Sequence, residues 1–575
     1  MLVLGLPSFH HSGWGLVRDG KVLRAVQEER LNRIKHYPYY TNLKKYPMML
    51  GVEYLFRGLS CNMSDCDAVT IPMMPLGQQF HMEDMLEVQS VQDVIDKNLK
   101  HDYNEILNFI KSVGFAGKVI FVNHQLSHAA YAYNLSGYES ADVISYDGAG
   151  CGFPPEVVVG FHVDHHRYQK LFSYRVPHSL GHVYSNTTNR IFGSRSDGME
   201  GKVMGLAPYG TPSDSMRMLV HDQDADMYVA TYPNTTKLQY GGIAPYADTF
   251  GLRQGNIPQR EHRKPWNFND DEDIFYANLA ASVQQSVEEA GMHYVKKLHG
   301  LTGEDNLCIT GGVALNSCLN GLIRRSGPYT STFAAPACHD GGHGIGAPLY
   351  YCGTQHVTHN FQRIDGDFLG YPYSTDDCRD ATVELGVSFT EFNDMEAIGH
   401  DAARTLVDQK IIAVFNEGSE FGPRALGHRS IMVDPRTAAM KDTLNARVKF
   451  REAYRPFAPI VLKEHALEYF EFDDSEFMLF VAHATQKAID EVPAVIHVDG
   501  TARVQTVSKT NEPFYSALTH FHKLTGVPVL LNTSFNVAGE PIVETPQDAI
   551  RCFLGTSIDV LYLNTLKIEK RLCEN

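Results

Sequence analysis

Three times in this chain an apolar run of strand length ends in a polar or glycine-rich turn. "KVIFVNHQLSHAAYAY" (118–133) reads as a buried strand running into a helix, and "SADVISYDGAGCG" (140–152) as a strand ending in a glycine turn. "NLCITGGVALNSCLNGLI" (306–323) reads as strand, double-glycine turn and helix. Apolar strands alternating with helices suit a sheet covered on its faces, which predicts an α/β domain over residues 1–360. It opens with a hairpin signal, Asp19-Gly20 between two strands. Phe275, Leu279, Val283, Val287, Tyr294, Val295 and Leu298 then mark a long amphipathic helix. Residues 210–270, rich in Tyr, Pro, Gly, Asn and Gln, show no period and read as an inserted loop region. A second domain is placed at 370–575, with helix "EAIGHDAARTLVDQ" and strands "KIIAVFN" and "VPVLLNTS". At 575 residues the chain is too long for a single core, in keeping with two domains.

The formal net charge of −17 argues against broad nucleic-acid binding, which needs clustered cations against phosphate. No apolar run approaches the roughly 18 residues of a membrane span. "MLVLGLPSFHH" has no basic leading segment and reads as a strand, not a signal peptide. Ten cysteines include no C-x-x-C pair, and nothing beside Cys61 and Cys66 completes a zinc site. Reduced thiols in a cytoplasmic protein with no membrane partner are expected.

His124 and His128 stand four residues apart, on one face of a helix, where two imidazoles can share an ion. The bland alternative is one capping and one packing histidine. Asp147 in "SYDGAG" and Asp340 in "CHDGGHGIGA" add carboxylates, and together the four suit iron(II), manganese or zinc. His339 and His343 compete with Asp340 for the fourth place. Glycine-rich loops "DGAGCG", "EGKVMGLAPYG" and "TGGVALN" are candidate phosphate cradles, with Lys202 as a point charge. None is a Walker A loop or a dinucleotide fingerprint.

Arg424, Arg429, Arg436, Arg447, Lys449, Arg451 and Arg455 crowd into one segment of an acidic chain. Arginine forks match phosphate and carboxylate oxygens, so this segment is expected to form a polyanion pocket completed by Arg503, Asn532 and Ser534. At the first strand tip, "SFHHSGWG" places His10 and His11 either in a turn or at a reaction centre.

These motifs together resemble the nodulation-type O-carbamoyltransferases, a family that includes enzymes of antibiotic and other secondary-metabolite biosynthesis. The resemblance rests on "EERLNRIKH", "NHQLSHAA", "YDGAG", "EGKVMGLAPYG", "TGGVALN", "FGPRALGHRSIMVDPR", "VKFREAYRPFAP", "VDGTARVQTV" and "LNTSFNVAGEPIVETPQDAI", in family order along nearly the whole chain. It implies an actin/sugar-kinase-like N-terminal domain and a C-terminal α/β domain similar to threonylcarbamoyl-adenylate synthase. Carbamoyl phosphate and ATP, with Mg(2+), would give carbamoyl-adenylate at Arg424, Arg429, Lys449, Arg451, Arg455, Arg503, Asn532 and Ser534. The adenylate would then be held by Lys35, Lys202, Gly311, Gly312 and Asn316. A metal, Fe(2+) or else Mn or Zn, would sit on His124, His128, Asp147 and Asp340. His10 would be the catalytic base toward a small-molecule hydroxyl acceptor. His11, where the family usually has Asp, and Trp14, where small residues are common, would border the acceptor. A homodimer is left open.

Three rivals remain. A hydrogenase-maturation carbamoyltransferase would carry an acylphosphatase domain and zinc fingers ahead of these motifs. A tRNA-modifying enzyme is disfavoured by the acidic charge. A non-catalytic nucleotide sensor leaves the arginine cluster and the metal set without a role.

Overall fold

Asp19 and Gly20, at φ 50° and 74°, form the two-residue turn between strands β2 (Gly13–Arg18) and β3 (Lys21–Gln27). Positive φ at both central positions matches the right-handed twist of the flanking strands. β1 (Leu2–Gly5) pairs antiparallel with β2 and parallel with β4 (Ala68–Ile71). With β5 (Met85–Val88) and β6 (Lys118–Val122) they make a six-stranded sheet of order β3-β2-β1-β4-β6-β5.

The computed structural model describes residues 1–7, 13–36, 49–74, 84–96, 109–150, 155–176, 178–193, 198–230, 265–357, 363–364, 366–509 and 514–570. Two units emerge, one of residues 1–138 with 334–575 and one of residues 139–333.

The second unit repeats the first sheet's scheme. β7 (Ser140–Tyr146) pairs antiparallel with β8 (Glu156–Asp164), β8 with β9 (Arg167–Arg175), and β12 (Asn306–Thr310) lies parallel to β7. With β13 (Ser331–Ala334) the order is β13-β12-β7-β8-β9. Antiparallel third and second strands, then a parallel fourth beside the first, is the pattern of each half of the actin/sugar-kinase-like fold. β7 and β12 are buried along nearly their whole length, as expected of strands covered on both faces.

The predicted long helix spans Asp271–Thr302, capped by Asp270, whose side chain accepts the Glu272 N–H. Its buried stripe includes Leu279, Val283, Val287, Tyr294, Val295 and Leu298, with Tyr276 buried in place of the half-buried Phe275. Part of the expected loop region is a hairpin, β10 (Leu219–Asp222) and β11 (Met227–Ala230). Strands of four residues are too short to display a period.

In the first unit the C-terminal residues build a mixed eight-stranded sheet. Strand Ile412–Phe415 lies parallel to Val560–Leu563 and antiparallel to Arg429–Val433, which in turn pairs with Val529–Ser534. Helix Met395–Val407 precedes it, as the sequence predicts. Among the described residues no helix is long and apolar enough to cross a membrane.

Candidate active site

Asn123 follows β6 and caps the helix His124–Ser136, its side chain accepting the N–H groups of Gln125 (2.9 Å) and Leu126 (3.2 Å). The cap fixes where the helix starts and so points His124 and His128, one turn apart, the same way. A second helix, His343–Thr354, packs against it. A Cβ at Gly346 would lie 2.0 Å from the Ser127 carbonyl, and one at Gly344 2.2 Å from that of Gly13. Only glycine permits this approach, which brings His343 to the other two imidazoles.

Asp340 Oδ1 lies 3.7 Å from His124 Nε2 and 3.5 Å from His128 Nε2. The His343 ring centroid is 4.3 Å from that of His124 and 4.1 Å from that of His128. Ligand atoms of His124, His128, Asp340 and His343 all lie within 4.8 Å of one another, and the three histidines are buried. Three imidazoles and a carboxylate make a borderline donor set that fits iron(II), manganese or zinc. Of the expected ligands the structure thus gathers His124, His128 and Asp340, and adds His343 from the competitors. His339 turns elsewhere, its Nε2 3.3 Å from Gln27 Nε2.

Asp147, at the end of β7 in the other unit, accepts the Gly312 N–H at 3.3 Å. Gly311 holds φ 86°, and a Cβ there would meet the Tyr146 carbonyl at 2.1 Å, so the double-glycine turn requires glycine. Asp147, Gly311 and Gly312 therefore sit together at the ends of adjacent parallel strands, the usual ligand-binding end of such sheets. Asn316, expected from the sequence at the nucleotide, has partners within the fold. It caps helix Ser317–Ser326 through the Leu319 N–H and exchanges amide hydrogen bonds with Gln284. "EGKVMGLAPYG" is also no open cradle: Glu200–Leu206 is helical, and Gly210 allows close packing on the Ala277 carbonyl. Lys202 on that helix is half-buried, its Nζ 5.2 Å from the Phe192 ring centroid.

Asn445–Lys449 forms a π-helical turn, closed by Phe450 at φ 46° and by Asn445 bonding the Arg451 carbonyl and N–H. This irregular turn drives Lys449 inward, where it is 6% exposed. Its ammonium donates to Ser534 O (2.6 Å), Ser534 Oγ (3.3 Å), Asn536 O (3.1 Å) and Asn536 Oδ1 (2.8 Å). All four acceptors are uncharged. Burial pushes the Lys449 pKa well down, and Arg451, Lys35 and Arg455 add like-charge repulsion. Burial first, then Arg455, lowers Arg451 to about 9. Arg424 is lowered to about 10, again by burial with Arg455 contributing. Five cations, Lys35, Arg424, Lys449, Arg451 and Arg455, are thus linked by mutual repulsion. Asn532 donates to Ala425 O and Gln505 Oε1, and its buried Oδ1 has no hydrogen-bond donor among the described residues. Arg503 is half-buried at the end of strand Thr501–Arg503.

Two of the expected site residues are fully buried. Arg429 is fully buried and donates to the carbonyls of Asn416, His428, Glu417 and Glu544, while stacking 3.6 Å over Phe415. Its fork is used within the fold. Trp14 is fully buried, with its indole N–H on Glu28 Oε2 at 2.7 Å, so its side chain is core and not an open pocket wall. Lys35, assigned from the sequence to the adenylate, is within electrostatic reach of Lys449. His10 and His11 lie outside the described residues.

An actin/sugar-kinase-like domain with a histidine centre, followed along the chain by a mixed sheet bearing clustered cations, is the apparatus of a group-transfer enzyme. The chain belongs to the carbamoyltransferase family: residues 2–349 match its N-terminal part and residues 403–570 its C-terminal part. Nodulation protein NolNO of Sinorhizobium fredii is 35% identical over 99% of this chain and 80% of its own length. Nodulation protein NolO of Bradyrhizobium diazoefficiens is 35% identical over 78% of this chain and 79% of its own. Nodulation protein U of Sinorhizobium fredii is 27% identical over 96% and 97%.

Proposed function

We propose that the chain makes carbamoyl-adenylate from carbamoyl phosphate and ATP, then transfers the carbamoyl group to a hydroxyl of a small natural product. The observation that carries the first half is Lys449: a buried ammonium bonded, among the described residues, to uncharged oxygens and surrounded by like charges. Such an arrangement is balanced by a polyanion. Water releases phosphate from carbamoyl phosphate, and the resulting carbamate oxygen attacks the α-phosphorus of ATP and expels pyrophosphate. Arg424, Lys449, Arg451, Arg455 and Lys35 are suited to neutralise the phosphates, with Arg503, Asn532 and Ser534 completing the pocket.

For the second half, Gly311, Gly312 and Lys202 would hold the adenylate in the second unit. His124, His128, Asp340 and His343 would hold a divalent metal. A metal bound there supplies Lewis-acid polarisation of the unreactive carbamoyl carbonyl. His10 would take the proton from the acceptor hydroxyl as the oxygen attacks the carbamoyl carbon and AMP leaves. His11, in place of the family's usual Asp, would border that acceptor and favour a neutral one.

The test is pyrophosphate release from ATP on addition of carbamoyl phosphate, with carbamoyl-adenylate followed by mass spectrometry and hydroxylated metabolites screened as acceptors. His10→Asn should leave adenylate formation intact and stop transfer. Absence of the adenylate with iron(II), manganese and zinc alike would sink the reading.

A further inference from the structure

A second histidine–carboxylate constellation lies in the other unit, away from the residues used above. His221 comes from β10, Asp226 from the turn that follows, and His293 from the long helix Asp271–Thr302. Asp226 adopts φ 48° in that turn. His221 Nε2 lies 3.5 Å and His293 Nε2 3.2 Å from the same oxygen, Asp226 Oδ1. The two rings are 4.6 Å apart between centroids. Neither Nε2 makes an aligned hydrogen bond with any described residue.

An ordinary His–Asp ion pair would aim one ring N–H straight at the carboxylate. Here two rings converge on one oxygen with neither aligned. Two ligands about 2.0–2.1 Å from a tetrahedral ion stand ~3.3 Å apart, the edge that 3.2 and 3.5 Å bracket. Lys297, one helical turn beyond His293, binds the opposite oxygen, Asp226 Oδ2, at 2.5 Å and is itself held by the Tyr174 hydroxyl at 2.8 Å. That outer contact orients the carboxylate and leaves Oδ1 for a ligand, as outer partners do around metal centres.

We propose that His221, Asp226 and His293 form a second divalent-metal site, selective for zinc and similar borderline ions. Two imidazoles and one carboxylate are too soft for a magnesium or calcium site, and three ligands leave a fourth position for water. The ion ties the β10–β11 hairpin to the long helix.

The full chain, freed of metal, is titrated with zinc alone, and bound zinc is counted by elemental analysis after gel filtration. His293→Ala and His221→Ala each bind one equivalent fewer than the unaltered chain. Asp226→Asn, which keeps the shape of the turn, shows the same loss or a zinc affinity lowered at least 100-fold. Zinc also raises the melting temperature of a His128→Ala, His343→Ala chain, and adding His293→Ala abolishes that rise. Circular dichroism confirms that each variant is folded. Unchanged zinc stoichiometry and affinity in all three single variants overturns the proposal, as does a His128→Ala, His343→Ala chain that binds no zinc.

Discussion

Replacing Lys449 by methionine separates what the buried ammonium costs the fold from what it contributes to the chemistry. Methionine keeps most of the aliphatic length but loses the three N–H donors shared among Ser534 O and Oγ and Asn536 O and Oδ1. Leaving such acceptors unpaired costs about 1–3 kcal/mol apiece where water cannot reach them. Against this, the change removes a buried charge repelled by Arg451, Lys35 and Arg455. The two effects oppose, so stability near pH 7 should change little. Activity should not be spared: losing a buried, hydrogen-bonded charge from a ligand contact costs about 2–5 kcal/mol, roughly 30-fold to several thousand-fold.

The pH dependence gives a sharper test. Burial depresses the folded-state pKa of Lys449, so between that value and the ordinary 10.5 the unfolded chain holds more protons. Stability gained from this group therefore rises with pH across that window, by at most about 1.4 kcal/mol per pH unit. Denaturation midpoints of the two proteins, measured in urea from pH 7 to 10, should diverge in favour of the unaltered chain as pH rises. A difference that stays flat or narrows over that range refutes the reasoning, whatever happens to pyrophosphate release.

Gly346→Ala should separate the two histidine-bearing helices, because its Cβ would meet the Ser127 carbonyl at 2.0 Å; zinc or iron retention should fall at least tenfold while pyrophosphate release persists. Glu28→Gln should flatten the acid side of the stability profile. Burial raises Glu28 from 4.5 to about 7, so between those values the folded state holds the extra proton and stability falls as pH rises. Melting temperatures of the two proteins from pH 5 to 7 should therefore shift steadily in favour of the glutamine variant. Asn123→Ala removes the cap beneath His124 and should cost about 1 kcal/mol, read as a lower denaturation midpoint.

Local rules in the sequence determined a good deal. The Asp19-Gly20 turn, the helix at Asp271–Thr302, the strands ending at Asp147 and Gly311, and the pairing of His124 with His128 all follow from short-range periodicity and turn chemistry. The anomalous cation cluster was also visible, because charge counts need no structure. Tertiary packing decided which of those residues are available for chemistry. Arg424 and Arg429 stand five positions apart with the same guanidinium. One remains among the linked cations while the other is bound by four carbonyls of its own fold. His339 and His343 flank Asp340 in sequence, yet the glycines of helix His343–Thr354 admit only the second to the histidine centre. His221, Asp226 and His293 were beyond reach for the same reason: a ligand set assembled across 73 positions has no local period, and only the packing of a hairpin on a helix brings it together.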